Sequence, residues 1–337
     1  MGLGKDKPLS ILAFERYDPT DTSITWLREQ GLRVKTGHAL WEMPFKRFSE
    51  DKLIAEAKDC VGLMGASGTR ISRHVIGSLP QLRYISKFGI GVDSIDMDAA
   101  TEHGVLVSNT PNEFQIFTVS EHAIAMMLAL AKQFSTWTPE FMRQGGWRGL
   151  THSATLKGAT VGIIGLGRIG RGVAQRLAGW EARIGGYDPG LTAAPPGVEL
   201  VGLRDLLAQS DFITLHAAPS IDNKHMLNRE AFALMKPNAV VINTGRGSLI
   251  DYPALRAALE ARQIAGAALD VFDQEPPRTD DPLFRYPNVI CTPHVAAWTA
   301  GGTHGIGWHA ARNLWAMIGG EGPVDLVNPE AKMIARS

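Results

Sequence analysis

Cysteine is scarce in this 337-residue chain, with only Cys60 and Cys291 present. They lie far apart, each inside an apolar strand-like run, which argues against a disulfide-stapled scaffold or a redox pair and leaves two reduced core thiols. Neither sign of charge is in excess, since Lys plus Arg is 34 and Asp plus Glu is 34. Nothing global therefore draws the chain to nucleic acid or to an anionic membrane, and neither is expected as a partner. Long hydrophobic runs are also missing. The longest unbroken one, residues 123–131, has nine residues against the roughly 18 needed to span a bilayer, so it reads as a buried helix. The opening Met1-Gly2-Leu3-Gly4-Lys5-Asp6-Lys7-Pro8 carries charge with no export-type apolar stretch behind it, and Asp6 stands where a myristoylation signal has Ser or Thr. The expected location is cytoplasmic.

Glycine is plentiful, at 36 residues, with 19 prolines, as tight strand-to-helix turns require. The length suits about two domains. The first half holds strand-like runs at Ile11-Leu12-Ala13-Phe14, Val61-Gly62-Leu63-Met64 and Val105-Leu106-Val107-Ser108, without a phosphate-type glycine loop. Residues 118–133 contain no Gly or Pro and are apolar on nearly all faces, which predicts a helix buried between two bodies of structure. Beyond Gly145-Gly146-Trp147-Arg148-Gly149 the pattern becomes a βαβ rhythm. Its strands are predicted at residues 160–164, 183–187, 212–215, 240–243, 266–270 and 289–292, which suggests a parallel doubly wound sheet. A closing helix is predicted over 303–318, capped at Gly319-Gly320.

Gly165-Leu166-Gly167-Arg168-Ile169-Gly170 sits between a strand and a helix. There Gly165 permits a tight turn, Gly167 a close approach of backbone to pyrophosphate, and Gly170 close helix packing, with Arg168 and Ile169 opening the helix whose N–H groups meet the anion. Asp188 ends the next strand, 18 residues past Gly170. It suits an adenosine ribose and opposes a 2′-phosphate, which selects NAD over NADP, although a plain turn before Pro189 fits the same residue. A methyltransferase also combines a glycine loop with an acid here, so hydride transfer does not follow from this region alone.

Three more segments fall at strand ends. Arg246 lies between glycines in Asn243-Thr244-Gly245-Arg246-Gly247-Ser248, placed either to fork onto a carboxylate or to sit in solvent. Asp270-Val271-Phe272-Asp273-Gln274-Glu275-Pro276-Pro277 follows the next strand, and Cys291-Thr292-Pro293-His294-Val295-Ala296 the last. His294, between a proline and small apolar residues, suits a ligand-facing imidazole. His304 and His309, five apart without acidic or Cys partners in sequence, do not make a metal site.

Together these motifs resemble the D-isomer-specific 2-hydroxyacid dehydrogenases. Lys87-Phe88-Gly89-Ile90-Gly91-Val92-Asp93 resembles that family's substrate loop and Val119-Ser120-Glu121-His122 its interdomain helix, and the resemblance runs from about Leu79 to Ala297. It implies an α/β protein of two doubly wound domains with a cleft between them. The NAD-binding Rossmann domain would span 112–299, and a discontinuous flavodoxin-like substrate domain 1–111 and 300–337. The cofactor implied is NAD, held by the loop residues with Asp188, Thr244 and Asp270; the substrate is a small 2-hydroxy or 2-oxo acid. The catalytic set would be Arg246, Glu275 and His294, with Glu275 keeping His294 as imidazolium. Backbone N–H groups at Gly89 and Ile90 would complete carboxylate binding. The resemblance also implies a homodimer that pairs around residues 145–150.

The chain departs from that pattern in places. Gly65-Ala66-Ser67-Gly68 lacks the arginine expected for a substrate phosphate, for which Arg70 or Lys87 are the substitutes, and a C-terminal regulatory extension is not expected. Asn109-Thr110-Pro111-Asn112 lacks the usual glycine, and Phe114 and Phe117 would either line an apolar pocket or pack at the hinge. Glu275 separates the chain from formate dehydrogenases, which carry Gln there. Phosphoglycerate oxidation and an NAD(H)-sensing corepressor-like role are the alternative functions.

Overall fold

The computed structural model describes residues 8–65, 68–111, 113–149, 152–322 and 325–333. Two compact units emerge, one from Met1–Phe114 with Thr299–Ser337 and the other from Gln115–Trp298.

The first unit is a parallel sheet of β1 (Ser10–Arg16), β2 (Arg33–Ala39), β3 (Gly62–Gly65), β4 (Tyr84–Lys87) and β5 (Leu106–Ser108), in the order β2-β1-β3-β4-β5. Side chains of β1 alternate between two cores. Ile11 and Ala13 pack with Ile24, Leu27, Ile306 and Leu314, while Leu12 and Phe14 pack with Leu53, Leu63 and Val75. Coverage of both faces explains the apolar run read in the sequence. The edge strand β2 (Arg-Val-Lys-Thr-Gly-His-Ala) has only two buried positions, so its composition gives no such run. The closing helix spans Ala300–Gly319, three residues ahead of the expected start. Its beginning is set by Thr299, whose hydroxyl accepts from the Gly302 N–H, a cap that outweighs the weak helix preference of Gly301 and Gly302. Gly320 ends it at φ 80°, a left-handed conformation that glycine takes freely.

The second unit contains β6 (Thr160–Ile164), β7 (Arg183–Tyr187), β8 (Glu199–Leu200), β9 (Phe212–Leu215), β10 (Val240–Asn243), β11 (Gly266–Leu269) and β12 (Val289–Cys291). All pair in parallel, in the order β12-β11-β10-β9-β6-β7-β8. Both units are therefore doubly wound α/β sheets. The order reverses at β6 and β9, and ligands of such sheets bind beyond the carboxyl ends of the strands at that reversal.

The helix predicted at 118–133 runs Glu113–Ala131. It is long and apolar enough to cross a membrane by length and composition, yet Ala123, Met126 and Met127 lie in one core with Val161, Ile163 and Val173. The helix Arg168–Leu177 presses Gly170, Val173, Ala174 and Leu177 into the unit. Cys60 is buried and Cys291 partly buried, both as free thiols.

Candidate active site

The loop after β6 is shaped by what glycine lacks. Gly165 has φ 88°, and a Cβ there would stand 2.5 Å from the Ala217 backbone N. A Cβ on Gly170 would stand 2.0 Å from the Gly165 carbonyl O. These two glycines are required by the fold itself. Gly167 differs, because a Cβ there would meet nothing within 4 Å. It is exposed and N-caps the helix Arg168–Leu177 without a side-chain cap bond. The first N–H groups, from Arg168 and Ile169 onward, thus face an open cradle that fits a pyrophosphate. Asp188, at the end of β7, accepts from the Leu166 N–H at 2.9 Å through Oδ2 and from the Gly190 N–H at 3.0 Å through Oδ1. It serves as a turn residue and also ties its carboxylate to the glycine loop, with lone pairs left for hydroxyl groups.

Across the reversal, His216 follows β9. Its Nε2 lies 2.9 Å from Thr214 Oγ1 and its Nδ1 3.4 Å from Thr244 Oγ1. Desolvation pushes this imidazole down to about 3, so it is neutral at ordinary pH.

The loop after β10 carries Arg246. Asn243 Oδ1 accepts from the Gly245 N–H at 3.0 Å, and its Nδ2 donates to the Arg246 carbonyl at 2.8 Å. Gly247 lets this loop abut the next one, since a Cβ there would come within 2.0 Å of the Phe272 carbonyl carbon. In that next loop Glu275 Oε1 accepts from the Phe272 N–H at 3.0 Å, and Oε2 lies 2.7 Å from His294 Nδ1. Burial works to raise the Glu275 carboxyl, but His294, the Phe272 N–H and the Arg246 charge outweigh it and hold the group below the usual range. An ionised carboxylate only accepts, so Nδ1 carries the proton and Nε2 is the reactive nitrogen. The His294 side chain remains 45% exposed.

Asp270 and Thr244 stand apart from this exposed group. Asp270 is fully buried. Its Oδ1 accepts from the Thr292 hydroxyl at 2.6 Å and the Val295 N–H at 2.8 Å, and its Oδ2 from the Ala296 N–H at 3.0 Å. Here the carboxylate supports the His294 loop. Thr244 is also buried, with its hydroxyl toward His216.

In the first unit, the Gly89 N–H donates to Thr110 Oγ1 at 2.7 Å, so of the two N–H groups expected for a carboxylate it is already engaged. Ile90 is 42% exposed. Lys87 is buried and donates to the Phe88 carbonyl, which withdraws it as a phosphate ligand, whereas Arg70 is exposed. Ala66, Ser67, Asn112 and Leu150 lie outside the described residues. Phe114 and Phe117 are both about half exposed, and Arg176 lies over the Phe117 ring at 4.9 Å. His304 and His309 each pair with one aspartate, Asp18 and Asp325.

Residues 124–296, just over half of the chain, match the family model for D-isomer specific 2-hydroxyacid dehydrogenase, NAD binding domain. The chain belongs to this dehydrogenase family. It is 40% identical over 285 residues to a D-3-phosphoglycerate dehydrogenase of Methanocaldococcus jannaschii, covering 83% of this chain and 54% of that one. The chain thus spans about half the length of the curated relatives it matches. A solved structure from Thermus thermophilus matches with TM-score 0.85 at 30% identity, over 95% of this chain and 100% of that one. A glyoxylate reductase of Paecilomyes thermophila matches with TM-score 0.82 at 27% identity, over 96% and 99%.

Within this family framework the sequence motifs had assigned no separate work to Asn243, His216 or Thr292. Asn243 was legible in principle, since an Asn two residues before a loop N–H forms an Asx turn. His216 has one nearby partner, Thr214, but its other, Thr244, follows a different strand, and Thr292 had no local signal because Asp270 and His122 come from distant elements.

Proposed function

We propose that the chain is an NAD-dependent oxidoreductase that interconverts a small D-2-hydroxy acid and its 2-oxo acid. The observation that carries this reading is the His294 Nδ1 to Glu275 Oε2 contact of 2.7 Å, in the same unit as an open glycine cradle. Bound NAD(H) supplies or accepts the hydride at the substrate carbon. His294 holds a proton at Nε2 for the carbonyl oxygen while Glu275 fixes the ring and balances its charge. Arg246 offers a planar cation to the carboxylate and carbonyl of the acid, and the N–H of Ile90 adds a neutral donor. Gly165, Gly167, Arg168, Ile169 and Gly170 hold the pyrophosphate, and Asp188 takes the ribose hydroxyls and repels a 2′-phosphate. A cytoplasmic homodimer accords with the free cysteines and with the exposed Phe134, Met142 and Trp147.

The substrate proposed is unphosphorylated and of the hydroxypyruvate or glyoxylate type, because residues 65–68 include no arginine and Lys87 is buried. The likeness to a D-3-phosphoglycerate dehydrogenase favours a second reading in which Arg70 meets a phosphate. NADH consumption with glyoxylate, hydroxypyruvate, pyruvate, phenylpyruvate and 3-phosphohydroxypyruvate separates the two. Turnover of the unphosphorylated acids is expected, turnover of the phosphorylated one alone transfers the assignment, and tight NADH binding with no turnover points to a sensor.

A further inference from the structure

His122 lies on the helix Glu113–Ala131 and has no part in the chemistry above. Its Nε2 is 3.1 Å from Thr292 Oγ1 and 3.6 Å from Asp270 Oδ1. The direction of these bonds follows from the supply of protons. Thr292 has one hydroxyl proton, which goes to Asp270 Oδ1 at 2.6 Å, and an ionised carboxylate can only accept. Thr292 Oγ1 is therefore an acceptor toward His122, and Nε2 must carry the hydrogen. The chain runs His122 N–H to Thr292 O–H to Asp270.

That chain ends on the loop that carries the proposed proton donor. The Asp270 carboxylate also takes the Val295 and Ala296 N–H groups, and its carbonyl takes the His294 N–H at 2.8 Å. His294 sits at φ 54°, a left-handed conformation disfavoured for a residue with a Cβ and maintained only by surrounding bonds. Asp270 supplies those bonds from both sides. It is a buried carboxylate whose described donors are one hydroxyl and backbone N–H groups, with His122 Nε2 3.6 Å away.

We propose that His122 is a positioning residue for His294, acting through Thr292 and Asp270 to keep the imidazole aligned on Glu275. The proposal rests on the reading of His294 as the proton donor, and its test includes a measurement that needs no turnover. His122→Leu fills the space without the donor, whereas His122→Gln places an amide N–H near the position of Nε2. With an acid turned over by the wild type, His122→Leu is expected to lower kcat roughly tenfold, the scale of one lost buried hydrogen bond, with the NADH Kd within about twofold. His122→Gln should recover most of the loss. Thr292→Val should match His122→Leu, Thr292→Ser should not, and the double variant His122→Leu/Thr292→Val should be no worse than Thr292→Val alone.

The measurement independent of activity is the nitrogen-15 spectrum of the His294 ring, assigned by its loss in His294→Asn. Its signals are expected to move in His122→Leu and return in His122→Gln. A residue that only fills space predicts the reverse, with Leu harmless and Gln disruptive. Unmoved His294 signals in a folded His122→Leu, or equal impairment by Leu and Gln, overturns the proposal. Failure of the wild type on every acid would instead remove the functional reading and leave the spectrum to decide the role of His122.

Discussion

The two sheets of this chain are built alike and equipped differently. Each is parallel, doubly wound and apolar on both faces. Beyond its carboxyl ends the five-stranded sheet offers backbone groups and Thr110 around Gly89. The seven-stranded sheet offers an open helix N-terminus, a guanidinium, and a histidine bonded to a carboxylate. The contrast teaches that the sheet supplies a platform and the loops supply the chemistry. Under the proposed function, acid–base work and cofactor binding fall to the second unit, and the first adds a donor for the substrate.

The largest test of that division is His294→Ala. Turnover should fall by about 10²–10⁴, the usual contribution of a positioned proton donor, with NADH affinity within a few-fold by fluorescence titration; residual activity near wild type would break the contrast. Next comes Gly167→Ala, which meets no neighbour in the structure. Thermal melting should stay at the wild-type temperature while NADH binding weakens roughly tenfold or more, because only a bound pyrophosphate approaches that position. Gly170→Ala, whose Cβ collides with the Gly165 carbonyl, should instead lower the melting temperature, and equal behaviour of the two variants would refute the reading of the loop. Asp188→Ala should weaken NAD by about tenfold and narrow its advantage over NADP, consistent with loss of charge-assisted bonds.

Two smaller effects sharpen the comparison. His216 lies at about 3, below its unfolded value of 6.5, so the unfolded chain binds the extra proton. The stability it contributes is complete above pH 6.5 and declines as pH falls toward 3, by at most about 1.4 kcal/mol per pH unit. Melting curves of His216→Gln should show a shallower acid dependence over that window, and an unchanged slope would mean that the ring is hydrated. Smallest is Thr110→Val in the first unit, which removes the acceptor of the Gly89 N–H. The KM for the oxo acid should rise a few-fold with NADH affinity unchanged, whereas a shift in NADH affinity would blur the division between the units.

What could be read in advance follows the range of the interactions. The strands at 160–164, 212–215 and 240–243 were legible because apolar runs between turn residues mark strands buried on both faces, and that at 183–187 buries only alternate residues. The edge strands β2 and β8 were not, since β2 is largely polar and β8 has only two residues, whereas the edge strands β5 and β12 carry apolar residues that show in the sequence. Helix starts at Glu113 and Ala300 were misjudged by a few residues because apolar periodicity is silent about capping.

The sequence alone determined the family, the doubly wound class and the glycine loop, in which strand, turn and helix are consecutive and Gly165 and Gly170 answer local steric demands. It also named Arg246, Glu275 and His294 as candidates. Only the tertiary structure decided that Glu275 and His294, 19 positions apart, bond at 2.7 Å, and that His122 reaches Thr292 across 170 positions. It also decided that the Asp270 carboxylate supports a loop. These contacts depend on which strands lie side by side, and strand order is set by the packing of whole layers, which no short stretch of chain encodes.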